Sequence, residues 1–104
     1  MKPILFALIA SAATIAVTSP ALADEALAKS KKCMICHSVE KAKVGPSYKA
    51  IAAKYAGQKD AEAKLVKAVL KGGTGSFGAT AMPANTAVSE ADAKTLVTWI
   101  LSLK

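Results

Sequence analysis

The motif Cys33-Met34-Ile35-Cys36-His37 constrains this chain more than any other feature. The sequence contains two cysteines and one histidine, and all three lie within these five residues. The pattern Cys-x-x-Cys-His is typical of covalent haem attachment, in which both thiols add to the vinyl groups of the porphyrin. Residues three and four apart share one face of a helical turn, so the thiols and the imidazole can reach one cofactor. The motif therefore predicts one haem c, with His37 as an iron ligand.

Three other kinds of site can contain a Cys-x-x-Cys pair. A thioredoxin-like redox site requires a strand–helix–strand pattern nearby, and no strand-like alternation surrounds the motif. A structural zinc site requires four Cys or His ligands, whereas this chain offers three. A plain disulfide would leave the adjacent histidine without a role. Haem attachment is the interpretation that uses all three residues.

Residues 1–23 have the pattern of a secretory signal peptide. Lys2 gives a positive start, residues 4–17 form an apolar run, and a small-x-small sequence ends at Ala23. An uncleaved membrane anchor is the alternative, because the segment after Lys2 carries no charge and about 20 apolar residues can span a bilayer. Polar residues towards the end of the run favour cleavage. We predict cleavage after Ala23, a single domain over residues 24–104, export to the periplasm, and no membrane insertion of the mature chain.

Lysine dominates the charge of the chain. Fourteen basic residues, all of them lysine, face seven acids, giving a net charge of +7. Such a surface attracts acidic partners and accelerates their encounter, although any single lysine can simply solvate the surface. Recognition of nucleic acid favours arginine forks and aromatic platforms, and this chain has no arginine and only 5% aromatic residues. We therefore expect protein partners and no nucleic acid.

Helical periodicity recurs through the mature segment and predicts an all-α fold of about four short helices wrapped around one haem. The predicted helices cover Asp24–Lys32 running into the motif, the segment between Pro46 and Gly57, Asp60–Lys71, and the segment after the capping sequence that begins at Ser89. Residues 72–88 show no periodicity. A loop of this length in so small a domain is usually functional.

That loop contains the methionine best placed to be the second axial ligand. Met1 would leave with the signal peptide, and Met34 lies between the two cysteines, on the wrong side of the ring. Met82 lies in the irregular loop, where Pro83 restricts the backbone. A methionine that fills a gap in the core and a five-coordinate iron are the alternatives. His/Met ligation raises the reduction potential and is typical of electron transfer, so we expect a carrier and no enzyme.

Further segments carry a resemblance that covers essentially the whole mature chain. They are Val44-Gly45-Pro46-x-Tyr48-Lys49, the segment 51–57, Met82-Pro83-x-Asn85 and the closing segment 99–104. With the haem motif, they resemble the small class I bacterial cytochromes c of the cytochrome c-551 type. The resemblance implies the class I cytochrome c fold, thioethers at Cys33 and Cys36, and His37 and Met82 as the axial ligands.

The resemblance also implies roles for three further residues. The carbonyl of Pro46 would accept a hydrogen bond from the far nitrogen of His37, which fixes the ring. Asn85 would hydrogen-bond near the sulfur of Met82. Trp99 would pack in the core between the terminal helices.

Departures from the family pattern concern a haem propionate and the loop around Met82. Phe77 stands where relatives usually have a tryptophan whose N–H contacts a haem propionate, and phenylalanine has no such donor. Ala68 stands where relatives often have a basic residue or histidine, and Ala81 and Ala84 where they often have proline. We expect a propionate that is held less firmly and a softer loop around Met82.

The function implied is that of a periplasmic one-electron carrier between respiratory or denitrification partners. By resemblance, the donor is a quinol-oxidising complex, and the acceptor is a nitrite reductase, a terminal oxidase or a cytochrome c peroxidase. A monomer is expected for a diffusing carrier. The alternative is a haem-based sensor or gas-binding module in which Met82 gives way to a diatomic ligand. A thiol–disulfide oxidoreductase is a third class, which predicts free thiols at Cys33 and Cys36.

Overall fold

The computed structural model describes residue 11 and residues 20–104, with side-chain surroundings given for residue 11 and from residue 24 onward. The predicted signal peptide, residues 1–23, lies outside the described residues apart from residue 11 and the backbone of residues 20–23. The described chain contains α1 (Pro20–Ser30), a 3-10 turn (Cys33–Ile35), α2 (Tyr48–Tyr55), α3 (Ala61–Lys71) and α4 (Glu90–Ser102). This architecture confirms the all-α prediction. None of the described helices is long and apolar enough to cross a membrane.

The first helix differs from its prediction at both ends. It begins at Pro20 instead of Asp24, and a proline at the first helical position leaves no hydrogen bond unmade. It ends at Ser30, and Lys32 then adopts a left-handed backbone with φ 63° and ψ 17°. The prediction that the haem motif occupies the last turn of this helix is wrong, because the left-handed residue separates α1 from the 3-10 turn. This conformation is rare outside glycine, so the sequence pattern did not indicate it.

Serine side chains cap the two helices that contribute most of the buried residues. The hydroxyl of Ser47 accepts a hydrogen bond from the backbone N–H of Ala50 at the start of α2, at 3.1 Å. Ser89 does the same for Asp92 at the start of α4, also at 3.1 Å. Each cap satisfies one of the N–H groups that a helix start leaves without a partner. The predicted capping sequence at Ser89 is thereby confirmed, whereas α2 begins two residues after Pro46.

Helix α4 is the centre of the packing, since α1, α2 and α3 all contact it. Ala28 of α1 and Ala93 of α4 are fully buried, and such small side chains allow two helices to approach closely. Trp99 of α4 is buried as predicted, and its ring meets Tyr48 of α2 edge-on, with 5.4 Å between the ring centroids. The core therefore ties α4 to α2, which directly follows the segment that holds the haem motif.

Candidate functional site

The haem motif forms a compact helical turn although it lies outside α1. The carbonyl of Cys33 accepts hydrogen bonds from the backbone N–H groups of Cys36, at 3.2 Å, and of His37, at 3.0 Å. These bonds reproduce the three- and four-residue spacing on which the prediction relied. Both cysteines are half-buried and are not joined in a disulfide, and His37 is buried. The turn thus holds two thiols and an imidazole in one place.

A hydrogen bond determines which nitrogen of His37 carries the proton. Nδ1 lies 2.7 Å from the carbonyl oxygen of Pro46. A carbonyl can only accept, so Nδ1 must be the donor, and the neutral ring then keeps its lone pair on Nε2. When one ring nitrogen of a metal-binding imidazole donates a hydrogen bond to a carbonyl, the bond orients the ring and makes the other nitrogen a stronger donor to the metal. His37 is therefore prepared to bind a metal through Nε2.

Two further contacts restrict the His37 ring. Tyr48 stacks on it with 5.2 Å between the ring centroids and an angle of 19° between the planes. On Gly45, a Cβ atom would lie 2.6 Å from Cε1 of His37, so only glycine fits against the ring there. The backbone N–H of Gly45 donates to the carbonyl of Cys36 at 2.8 Å, which holds the glycine beside the motif turn. The family resemblance placed the carbonyl of Pro46 against the imidazole, but sequence reasoning did not single out the packing role of Gly45.

Residues 72–88, here called the Met82 loop, are held by backbone hydrogen bonds close to the methionine. Gly73 and Met82 exchange two such bonds, of 3.0 and 2.8 Å. Gly72 has φ +74°, and a Cβ on it would collide with the carbonyl oxygen of Met82 and would lie 2.9 Å from the nitrogen of Ala84. The close approach of these two backbone segments requires glycine. Met82 is thereby anchored directly to the end of α3.

Asn85 anchors the same loop to α3 through the carbonyl of Val69. Its backbone N–H donates to that oxygen at 3.0 Å, and its side-chain Nδ2 donates to the same oxygen at 3.3 Å. The resemblance implied a hydrogen bond near the sulfur of Met82 instead. One amide proton of Asn85 is thus committed to α3, and a contact with the sulfur would use the other.

The structure brings these groups together around one space. A cleft of about 740 Å³, here called the haem cleft, is lined by Cys36, His37 and Met82, and an adjoining apolar cavity by Cys33, His37 and Met82. Apolar side chains from α2, α3 and α4 complete the smaller cavity: Ile51, Leu65, Ala68, Val69, Leu96, Val97 and Ile100. Ligand cavities typically measure about 300–1,000 Å³ and combine an apolar lining with a few placed polar groups.

The charges along the haem cleft match a porphyrin that carries two carboxylates. Lys43, Lys64 and Lys67 line the cleft, and none of the described lining residues is acidic. Lys64 also pairs with Asp60 at 3.2 Å. An apolar interior, a cationic lining, two thiols and an Nε2 lone pair together fit a covalently bound haem. In the described part of the chain, no group of three Cys, His, Asp or Glu residues is placed to hold a metal ion by itself.

Burial perturbs two groups next to the motif turn. Loss of solvent raises the pKa of the Cys33 thiol, and a hydrogen bond with Tyr48 opposes this rise. The pKa of the Tyr48 hydroxyl is also raised, chiefly by burial and then by the neighbouring thiol. Both groups therefore stay neutral at ordinary pH, and Tyr48 serves as uncharged packing for the site.

Lys54 was not singled out from the sequence, yet it contacts the residue that departs from the family pattern. Its ammonium group lies 4.5 Å from the ring centroid of Phe77, and it donates to the backbone carbonyl of Ser76. Phe77 is 43% exposed, which places its ring at the rim of the haem cleft. A lysine on α2 has no visible relation in the sequence to a phenylalanine in the Met82 loop, so no local signal indicated this contact.

Comparisons with known proteins agree with this geometry. The family model described as cytochrome c matches residues 24–104. Cytochrome c-551 from Allochromatium vinosum is 53% identical over 87 residues, covering 84% of this chain and 93% of the relative. Cytochrome c-551 from Pseudomonas aeruginosa is 44% identical over 105 residues and covers both chains completely. The crystal structure of Nitrosomonas europaea cytochrome c552 superposes with a TM-score of 0.75 at 49% identity, covering 77% of this chain and 99% of that one.

These matches identify the cofactor and the kind of protein. Cytochromes c carry a covalently bound haem with its iron, and the two cysteines of the motif turn supply the attachment pattern. They exchange electrons with redox partner proteins and are not enzymes. From the motif turn, the cleft and the extent of these matches, we conclude that the chain belongs to the cytochrome c family, as a small class I haem c electron carrier of the c-551 type.

Proposed function

We propose that this protein is a periplasmic one-electron carrier in which Cys33 and Cys36 hold the haem as thioethers and His37 and Met82 are the axial ligands. The observation that carries the proposal is the hydrogen bond from Nδ1 of His37 to the carbonyl of Pro46, because it leaves Nε2 free for iron. His37 and Met82 line the same two cavities. When bound, haem iron supplies a one-electron redox couple, and His/Met ligation raises its potential.

The way in which both ligands are held supports electron transfer over ligand binding. Stacking with Tyr48, contact with Gly45 and the bond to Pro46 fix the His37 ring. Paired backbone hydrogen bonds with Gly73 hold the segment of Met82. Ligands restrained in this way need to move little when the iron changes oxidation state, and two filled axial positions leave no site for dioxygen or peroxide.

Two exposed apolar side chains, one within the motif and one after it, suit contact with redox partners. Ile35 is 68% and Val44 65% exposed, whereas most large apolar side chains of the described residues are partly or fully buried. Lys43, the neighbour of Val44, reaches the segment of Ile35, because its ammonium group donates to the carbonyl of Met34 at 3.2 Å. Apolar contact at these side chains and positive charge around them fit a partner that presents an apolar area ringed by acids.

The partners that we propose follow from the family resemblance. A quinol-oxidising complex would be the donor, and a nitrite reductase, a terminal oxidase or a cytochrome c peroxidase the acceptor. The lysine-rich surface supports encounter with such proteins by electrostatic steering. We also propose a monomer that binds no nucleic acid, with residues 1–23 removed as a signal peptide and residues 24–104 in the periplasm. The family model begins at residue 24, directly after the proposed cleavage site.

Visible spectra of the ferric and ferrous holoprotein test the ligand assignment. The ferric protein should show the weak long-wavelength band of methionine sulfur on iron. Met82→Leu keeps the apolar volume but removes the sulfur, so it should abolish the band and allow carbon monoxide to bind the ferrous form rapidly. Met34→Leu is the matched control and should change neither property. Intact mass should show the haem retained after denaturation.

Three outcomes would overturn parts of the proposal. A wild-type protein with a c-type spectrum but without the long-wavelength band would exclude Met82 as a stable ligand. Rapid carbon monoxide binding to the wild-type ferrous protein would favour the haem-based sensor or gas-binding module. A mass equal to that of the polypeptide, with two free thiols, would exclude haem attachment at Cys33 and Cys36 and favour a thiol–disulfide oxidoreductase.

A further inference from the structure

The tip of the Met82 loop is a small turn closed by its own hydrogen bonds. Gly75 and Gly78 both have positive φ, of 94° and 112°, and the N–H of Gly75 donates to the carbonyl of Gly78 at 2.9 Å. The hydroxyl of Thr74 closes the turn further by donating to the carbonyl of Ala79 at 3.2 Å. This turn presents Phe77 at its outer side. The tip is therefore a unit that can be held or released as a whole.

Lys54 joins this tip to the last turn of α2. It donates to the carbonyl of Ser76, and its ammonium group lies over the ring of Phe77, 4.5 Å from the centroid. None of the ion pairs between described residues includes Lys54, so no carboxylate of this part of the chain pairs with its charge. A cation over an aromatic face, with a carbonyl as its second partner, is a directional arrangement that an uncharged side chain cannot replace.

The part of the loop from Gly73 to Met82 is consequently held at two places with different chemistry. Near the methionine, backbone bonds between Gly73 and Met82 attach it to the end of α3. At the tip, the contacts of Lys54 attach it to α2. Phe77 and Met82 line the same cleft and lie in one loop, so release of the tip would loosen the backbone that leads to the methionine. The backbone bonds with Gly73 and the bonds from Asn85 to Val69 would then oppose displacement of Met82.

We propose that Lys54 is a positioning residue that clasps the loop tip at Ser76 and Phe77 onto α2 and thereby sets how readily a competing ligand displaces Met82. This inference rests on the proposed function, since it takes Met82 as an axial ligand. It modifies the expectation of a softer loop around Met82, because the ring of Phe77 supplies a face on which Lys54 rests. The clasp uses a side chain from α2, outside the loop that it holds.

Titration of the ferric holoprotein with imidazole, followed by loss of the long-wavelength band, tests the clasp. Lys54→Met should bind imidazole about fivefold more tightly, a change of the size expected for the loss of one exposed cation–π contact. Lys54→Arg keeps both contacts and should stay within about twofold of the wild type. Lys59→Met is the matched control: it removes the same charge from an exposed lysine for which no ion pair or side-chain hydrogen bond is seen among the described residues.

Phe77→Leu adds a test of the contact itself. It should raise imidazole affinity about twofold to threefold, and the double variant with Lys54→Met should fall short of the product of the single effects, because both changes remove one shared contact. A purely structural role would lower the denaturation midpoint without this coupling.

The outcomes separate this inference from the proposed function. Equal imidazole affinities for the wild type, Lys54→Met and Lys59→Met, with the long-wavelength band present, would overturn the clasp and leave the ligand assignment intact. Equal increases in Lys54→Met and Lys59→Met would also overturn it, since general surface charge would then explain the effect. A wild-type protein without the band would instead contradict the proposed function, and the clasp with it.

Discussion

Substitution of Gly45 by alanine probes the contact that most closely restricts the His37 ring. The added Cβ would lie 2.6, 3.0 and 3.2 Å from Cε1, Nδ1 and Nε2 of the imidazole. Carbon atoms in contact normally lie about 3.5–4.0 Å apart, so the ring or the backbone must shift by about 1 Å. A shift of this size also stretches the 2.7 Å hydrogen bond from Nδ1 to the carbonyl of Pro46.

The magnitude follows from two effects. Overpacking of a well-filled site costs about 1–3 kcal/mol, and a weakened hydrogen bond adds about 0.5–1.5 kcal/mol. Alanine also lowers the conformational entropy of the unfolded chain, which offsets about 0.4–1 kcal/mol of this destabilisation. We expect Gly45→Ala to lower the free energy of unfolding by about 2–3 kcal/mol. Gly73→Ala is the matched control, since a Cβ there meets nothing within 4 Å, and it should be neutral or slightly stabilising.

Guanidinium chloride unfolding of the two ferric holoproteins measures the difference, which should appear as a midpoint lower by about 1 M for Gly45→Ala. The reduction potential provides a second measurement. An imidazole that loses its Nδ1 partner is a poorer donor to ferric iron, so the potential should rise in Gly45→Ala only. Equal midpoints and equal potentials for the two variants would refute the close packing of glycine against the ring.

Three further predictions concern the helix cap, the loop anchor and the effect of pH. Ser47→Ala should lower unfolding free energy by about 1 kcal/mol through loss of the α2 cap, measured by denaturant unfolding. Gly72→Ala should destabilise more than Gly57→Ala and weaken the long-wavelength band, since both have positive φ but only the first Cβ meets backbone. A hydrogen bond and charge attraction from Lys49 lower the pKa of Glu40 below its ordinary value of 4.5. The pair therefore stabilises the folded state above that pH, and this contribution is lost as the pH falls through the folded pKa. Glu40→Gln should remove this loss from acid-unfolding curves.

Features that depend on residues close together in the sequence, or on the chemistry of one side chain, were predictable. The haem motif depends on contacts three and four residues apart, and its turn keeps those contacts although α1 ends before it. The serine before α4 was predicted as a cap because capping depends on the next three residues. Met82 was reached by elimination, since few residue types bind iron and the chain contains few of them. Each of these inferences needs only local backbone geometry or the chemistry of a side chain.

Other features depended on contacts between segments far apart in the chain. The left-handed backbone of Lys32 is unfavourable for any residue with a Cβ, so it arises from the surrounding fold and not from a local preference. The partner of the Asn85 amide is the carbonyl of Val69 on α3, which only the docking of the loop on that helix decides.

The sequence by itself determined that this protein attaches haem and is helical, and it left Met82 as the candidate for the second axial ligand. Only the tertiary structure decided that glycine must lie against His37 and that Lys54 rests on Phe77. The physical reason is the range of the interactions. Covalent attachment and helix formation involve neighbours in the sequence, whereas packing against a ring or a loop tip depends on how all the helices close around the cleft.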